Sequence, residues 1–355
     1  MPQVRICVAM VSASPTIGRV FGISLQLHWS FLLLLLAFLI ISPSYFVLWV
    51  IIFVFVLMHE IAHSLTAKRY GIEVKKILLL PMGGASIIDF SKVKPEQEFK
   101  ISVAGPISNI VAGAVFAVSL FFMPGGILSS GGVFHSALLW LAEVNMALGI
   151  LNLIPGFPMD GGRILRAYLQ ERTDYFRATS VTVRISKIIV LLIVAVSVVL
   201  LFFANKSNSA YIELFFIYDI IIALFLYGGA DAEMQWATLK QRLGNRKVQS
   251  AMTRYRRITK RNGIRADSAE ADKLGKTDSP RIYTKKGVVY MISTSGKSAG
   301  KSVEVPSVKY GAPLTDALEE MRSSGSDVIA VIKGKSVAGT VSAQSIEKSM
   351  AVESK

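Results

Sequence analysis

One cysteine, Cys7, stands in 355 residues. An internal disulfide framework is therefore excluded, and nothing points to an oxidising compartment. Charge is scarce as well: charged residues make up 18% of the chain, and 24 acidic residues face 39 basic ones, giving a formal net charge of +15. So little charge, beside 52% hydrophobic residues and a mean hydropathy of +0.50, excludes an ordinary soluble globular protein. The charges are also uneven. They divide the chain into an apolar part, about 1–228, and a basic, soluble-looking part, about 229–355. No nucleic-acid partner is expected for the basic part.

What is abundant is long apolar runs. A bilayer core needs about 20 residues of helix. Six segments qualify: Leu25–Ile41, Tyr45–Thr66, Phe99–Met123, Val133–Leu153, Ile185–Ala204 and Tyr211–Gly228. Pro43 and the short Ser42–Ser44 link make the first two a tight hairpin. At the N-terminus, Ile6–Val11 is too short an apolar stretch for a cleaved signal peptide. Orientation follows from the basic residues, which accumulate on the cytoplasmic side. Lys68, Arg69, Lys75, Lys76, Lys92 and Lys94 follow the second segment, and Arg163, Arg166, Arg172, Arg177 and Arg184 follow the fourth. The links after the first and third segments carry no Lys or Arg, and the link after the fifth only Lys206. Six crossings with both termini in the cytoplasm satisfy this alternation. An odd number would put one of the basic loops outside.

Within the second apolar segment stands "HEIAH", with His59, Glu60 and His63 roughly 10 Å from the cytoplasmic end of the helix at 1.5 Å per residue. Residues i and i+4 share a helix face, so both imidazoles point the same way. Two neutral imidazoles at this spacing bind zinc, and the neighbouring carboxylate serves as general base toward water. Polar glue between helices is the plainer alternative, but three ionisable residues inside a span are costly and imply function. A catalytic zinc takes three protein ligands, so one more is needed. His28 opens the first segment, and His135 opens the fourth on the external side. Glu143, in the middle of the fourth segment, competes for the role. Asp160 in "NLIPGFPMDGGR" is the best candidate, because that stretch ends the fourth segment at the depth of His59 and His63. Pro155, Gly156, Pro158, Gly161 and Gly162 are expected to keep the backbone there unwound, which membrane depth tolerates only around a buried or wet cavity.

Together, "GISLQLHWSF" opening the first helix, "HEIAH", "LPMGGAS", "AGPISN" and "NLIPGFPMDGGR" resemble the site-2 protease family of intramembrane zinc metalloproteases, in the archaeal and bacterial branch that includes the sporulation factor processing enzyme. The resemblance covers roughly Gly18 to Gly228. It implies one zinc per chain held by His59, His63 and Asp160, with Glu60 as general base. Asn152 is then the polar residue near the site, steadying substrate or an oxyanion. The family also implies six helices with a cytoplasm-facing site.

Val74–Phe90, turning at Gly83 and Gly84, is too short and interrupted for a crossing and reads as a pair of strands at the cytoplasmic interface. An exposed strand edge there would hold an unwound substrate by main-chain hydrogen bonds; packing on the helices is the plainer role. Gly105 and Pro106 in "AGPISN" suit close helix approach, and for Asn109 packing and a catalytic role are equally open.

After the membrane part, Ala230–Gly244 reads as a short amphipathic helix, and "KVQSAMTRYRRITKRNGIRADS" is basic enough to lie on anionic lipid heads. Ala312–Lys348 reads helix, strand, turn, strand, helix, with Leu314, Ala317, Leu318 and Met321 at helical spacing and Val328–Ile332 and Val337–Val341 as strands. This resembles one cystathionine-β-synthase-type (CBS) repeat, whose preceding partner, beginning near "VQSAMTR", is hard to see. Nucleotide binding is doubtful, and the tail's expected role is dimerisation, substrate docking or lipid contact.

The expected fold is an α-helical polytopic membrane protein of six transmembrane helices with a small interfacial β-hairpin and a small α+β cytoplasmic C-terminal domain. Its divisions are a cytoplasmic N-terminal segment (1–24), the membrane protease domain (25–228), a basic linker (229–260) and a CBS-like domain (261–355, second repeat about 306–350). The expected activity is zinc-dependent endoproteolysis of transmembrane protein substrates at the cell membrane. The alternative is a transporter or channel regulated by a CBS-like tail.

Overall fold

The computed structural model describes residues 14–81, 83–88, 93–122, 133–204, 210–244, 246–254, 281–285, 288–292, 302–324, 326–334 and 336–351. The chain divides into two compact units, Ala13–Gln241 and a C-terminal one from Arg242 to Lys355.

The first unit begins with strands β1 (Thr16–Val20) and β2 (Ile23–Leu27), joined by a two-residue turn at Phe21 and Gly22 with φ of 49° and 76°. Two positive φ values match the right-handed twist of a hairpin. Helix α1 follows (Trp29–Ile41), capped by His28, whose Nδ1 accepts from Ser30 N. The stretch "GISLQLHWSF" is therefore strand, cap and helix start, and does not simply open a helix as expected. At 13 residues, α1 is about 20 Å long, shorter than a bilayer core of about 30 Å. Ser42 alone separates it from α2 (Pro43–Arg69), where Pro43 fits the first helical turn because its missing N–H has no partner to lose.

Strands β3 (Val74–Leu80) and β4 (Gly83–Ile88) come next. The two expected strands are thus half of a four-stranded sheet, ordered β1-β2-β3-β4, in which β2 and β3 run parallel and the other pairs antiparallel. Ile23, Leu25, Val74, Ile77 and Leu79 of the sheet bury themselves against Ala67 of α2 and Ile101 of the following helix. That core fixes β4 beside the middle of α2. Asp89, Phe90 and Lys92 lie outside the described residues, as does most of the basic run after Lys247.

Helices α3 (Pro95–Phe121), α4 (Val133–Leu153), α5 (Asp160–Gln170), α6 (Tyr175–Ala204) and α7 (Ala210–Leu243) complete the unit. Among the described residues, four helical stretches are long and apolar enough to cross a membrane: Phe46–Arg69, Pro95–Phe121, Phe134–Leu153 and Tyr175–Leu200. The expected short helix at Ala230–Gly244 is not separate, because α7 runs unbroken through Gly228 and Gly229. Gly229 serves packing rather than termination: a Cβ there would stand 2.8 Å from Cγ of Pro158.

In the C-terminal unit, β9 (Ser307–Lys309), α8 (Leu314–Ser324), β10 (Val328–Lys333), β11 (Ser336–Ser342) and α9 (Ala343–Ala351) follow the expected order of helix, strand, strand, helix. The α8 residues Leu314, Ala317, Leu318 and Met321 are buried. β10 pairs parallel with β9 and antiparallel with β11, and β5 (Thr253–Arg254) adds to the far side of β11. Where a preceding repeat was sought, β6 (Arg281–Lys285), β7 (Val288–Ile292) and β8 (Ser302–Glu304) form a separate antiparallel sheet.

Candidate metal centre

Helix α2 brings His59, Glu60 and His63 to a buried position, each less than one-tenth exposed. The Nδ1 of His63 lies 2.7 Å from the carbonyl of Ile101 in α3. A carbonyl only accepts, so that nitrogen carries the proton and Nε2 keeps its lone pair in the neutral ring. The Nδ1 of His59 stands 3.3 Å from Oδ1 of Asn109, which sets the same tautomer. Acceptors behind both rings are the arrangement that orients histidine ligands.

The two free nitrogens converge. His59 Nε2 and His63 Nε2 are 3.0 Å apart, and Asp160 Oδ2 lies 2.9 Å from the first and 3.1 Å from the second. Two lone pairs and a carboxylate oxygen at such distances repel one another unless a cation or protons lie among them. Tetrahedral zinc ligands at about 2.0–2.2 Å stand roughly 3.3–3.6 Å apart, close to this triangle. Gly105 of α3 supplies the space: a Cβ on it would lie 2.3 Å from His63 Nε2 and 2.6 Å from His59 Nε2. Donor chemistry, spacing and the glycine cradle all fit a metal ion held by His59, His63 and Asp160.

Asp160 reaches this place because it is the first residue of α5, where a carboxylate suits the helix dipole. The unwound stretch is shorter than the sequence suggests. Gly161 and Gly162 are helical, and they are glycines for closeness: a Cβ would lie 2.1 Å from Ile154 O at the first and 2.6 Å from Phe157 N at the second. Phe157 is buried, and its N–H donates to Ser186 Oγ of α6 at 2.8 Å.

Arg166, two turns along α5, read as a cytoplasmic-loop charge in sequence but is buried. Its guanidinium pairs with Glu98 of α3 and with Glu233 of α7 at 2.9 Å, donates to Tyr175 Oη at 3.2 Å, and stacks over the Phe157 ring. Burial alone would weaken its hold on the proton, but the two carboxylates outweigh that and hold it above its ordinary range. Removing one partner from such a buried set costs about 3–5 kcal/mol, so α5 is firmly seated and Asp160 with it.

Glu60 faces the sheet. Its Oε2 accepts from Ser86 N at 2.8 Å and from Ser86 Oγ at 2.6 Å. Strand β4 can come this near only at a glycine, because a Cβ on Gly84 would lie 2.4 Å from Glu60 Cγ. Gly83, with φ of 138°, opens the strand and has nothing near its Cβ position. Asn152 turns its amide nitrogen to Leu148 O of its own helix at 2.9 Å. Glu143 is exposed and outside the cluster, and His28 is occupied in capping α1. Asn109 is buried against His59, with Nδ2 left without a partner among the described residues. Ser86, the Ile101 carbonyl and Arg166 were not foreseen as parts of the site. Of these, Ser86 closes the quoted stretch "LPMGGAS", but nothing in that stretch pointed from the serine to Glu60.

The family model described as "Peptidase family M50" matches residues 47–130 and 126–196. A zinc metalloprotease of Methanocaldococcus jannaschii is 37% identical over 241 residues, which are 66% of this chain and 65% of that relative. Stage IV sporulation protein FB of Bacillus subtilis is 27% identical over 133 residues, 37% of this chain and 43% of that protein. A solved site-2 protease from Methanocaldococcus jannaschii shares 34% identity, with a TM-score of 0.45, over 62% of this chain and 95% of that one.

Proposed function

We propose that this chain is a member of peptidase family M50 and an intramembrane zinc endopeptidase, cutting peptide bonds within or beside transmembrane segments of other proteins. The observation that carries the reading is the convergence of His59 Nε2, His63 Nε2 and Asp160 Oδ2 within about one hydrogen-bond length, next to the buried Glu60 carboxylate.

His59, His63 and Asp160 hold one zinc per chain. Zinc, when bound, supplies Lewis-acid polarisation and makes water acidic enough to react near neutral pH. Glu60 takes the proton from the attacking water and delivers it to the leaving amine. Asn109 and the Ile101 carbonyl keep the two imidazoles in the ligating tautomer. Asn152, at the end of α4, steadies the substrate or the developing oxyanion. The substrate segment unwinds and pairs as a strand along β4, which ends the sheet order and so, among the described residues, has one edge unpaired by any strand. Gly83 and Gly84 let it approach. Six crossings, counting α1 despite its 13 residues together with α7 and the four long apolar stretches, with both termini cytoplasmic, would put the site on the cytoplasmic side, where water has a short path.

The test is metal content and cleavage measured together. Detergent-purified protein should carry about one zinc, as the three-ligand set requires, and cut a single-span reporter fusion in liposomes. A strong chelator should stop the cutting and zinc should restore it. Zinc-free protein that cuts at the full rate would refute the reading.

The tail is proposed to serve dimerisation, substrate docking or contact with anionic lipid through its basic stretch, rather than nucleotide sensing. Nucleotide-binding CBS pairs grip ribose hydroxyls with an aspartate after the second strand, and here Gln344 occupies that place in "GTVSAQSI". An amide carbonyl replaces a carboxylate whose charge-assisted bonds are roughly twice as strong. Titration of ATP and AMP into the full-length protein should show only weak binding or none. Micromolar binding that depends on Gln344 would restore the sensor role.

A further inference from the structure

We propose that Ser86 is a positioning residue for Glu60, anchoring one carboxylate oxygen so that the other is presented to the reacting water; this rests on the reading of Glu60 as general base. Ser86 gives both its donors to one atom. Its backbone N–H and its hydroxyl lie 2.8 and 2.6 Å from Glu60 Oε2. The hydroxyl also stands 3.1 Å from Glu60 O and 3.1 Å from Ser64 Oγ. A hydroxyl has one proton, and the shortest contact, to a charged acceptor, claims it. Ser64, fully buried one turn along α2, is then left to donate to Ser86. Among the described residues no hydrogen bond reaches Glu60 Oε1.

The anchor is rigid because its own support lies elsewhere. Ser86 pairs with Ile77 of β3, and Ile77 is in the core joining the sheet to α2 and α3. Gly84 lets the strand close on the Glu60 methylenes. The terminal torsion of a glutamate is soft and roughly two-fold, so an unheld carboxylate swings over a broad range. Catalytic groups need placement within about 0.5 Å. Two donors on Oε2 remove that freedom and leave Oε1 as the proton acceptor. The hydroxyl takes no part in strand pairing, so its loss should spare substrate binding.

Steady-state cleavage of the single-span reporter by zinc-loaded, full-length protein tests this. Ser86→Ala keeps the backbone donor and loses the hydroxyl. It should lower kcat about 10- to 100-fold, the scale of a small misplacement at the reacting centre, with KM and zinc content unchanged. Ser86→Thr keeps the hydroxyl on a residue that suits a strand and should restore kcat. Wild-type kcat in Ser86→Ala, or equal loss in Ser86→Thr, would overturn the proposal. Glu60→Gln in the same assay separates the two levels. If it stays active, the base assignment itself fails; if it is inactive while Ser86→Ala is fully active, only the role of Ser86 fails.

Discussion

Glu60→Gln is expected to cut kcat by about 10³-fold or more, since a positioned general base is worth about 10²–10⁴ in rate and the proposed mechanism gives this carboxylate both proton transfers. The substitution is chosen to change little else. A glutamine carbonyl can still accept from Ser86 N and Ser86 Oγ, so the contact between α2 and β4 survives. The amide fills the same space under Gly84, where a Cβ would already be excluded. His59, His63 and Asp160 keep their partners, so zinc should remain at the wild-type level. What the amide cannot do is hold a proton taken from water. Substrate should therefore bind and persist, and reporter should co-purify with the variant. Turnover close to wild type, with zinc retained, would remove Glu60 from the mechanism.

The parts of this site that sequence made legible are those set by short spacing or by composition. His59 and His63 had to share a helix face, whatever the rest of the fold, because i and i+4 always do. Asp160 was reachable through depth: with alternating crossings, a loop at the end of α4 was expected at the same level as the C-terminal end of α2. Its unwound length was overestimated because Gly161 and Gly162 look like helix breakers, whereas they permit α5 to start against the carbonyl of Ile154. The expected division between an apolar segment ending at Gly228 and a separate helix from Ala230 likewise disappears, because the helix continues through Gly229. In both cases glycine marks a close approach that only the partner, Ile154 or Pro158, reveals.

Long-range pairings left no such trace. Arg166 meets Glu98 and Glu233, which lie 68 and 67 positions away, so its charge read as a loop marker. The β1–β2 hairpin was missed because its turn is Phe21–Gly22; phenylalanine at φ of 49° is not a residue that announces a tight turn. Ser86 is a different case. Its role depends on the strand turning its N–H toward Glu60 rather than toward β3, and alternation alone does not decide that.

The second large effect concerns the metal. Asp160→Ala and Gly105→Ala should both strip zinc from the purified protein, for opposite reasons. The first removes the proposed ligand oxygen, 2.9 and 3.1 Å from the two imidazole nitrogens. Loss of a mere outer partner costs about 10–100-fold in metal affinity, and loss of a ligand should exceed that. The second leaves every ligand in place and adds one methyl group. That methyl would lie 2.3 Å from His63 Nε2 and 2.6 Å from His59 Nε2, inside contact distance of both. The rings cannot retreat freely, since each is tied behind to Ile101 O or Asn109 Oδ1. Either α3 moves away from α2 or the ligand triangle opens; zinc is weakened in both cases. Competition with a graded chelator, read as zinc retained per chain, measures the two losses on one scale. Serine in place of Gly105 should do no better than alanine, because the obstruction is the Cβ itself. Full zinc occupancy in Asp160→Ala would move the third ligand elsewhere, with Glu143 the next residue to test. Full occupancy in Gly105→Ala would mean that the metal is held at some distance from the space under α3.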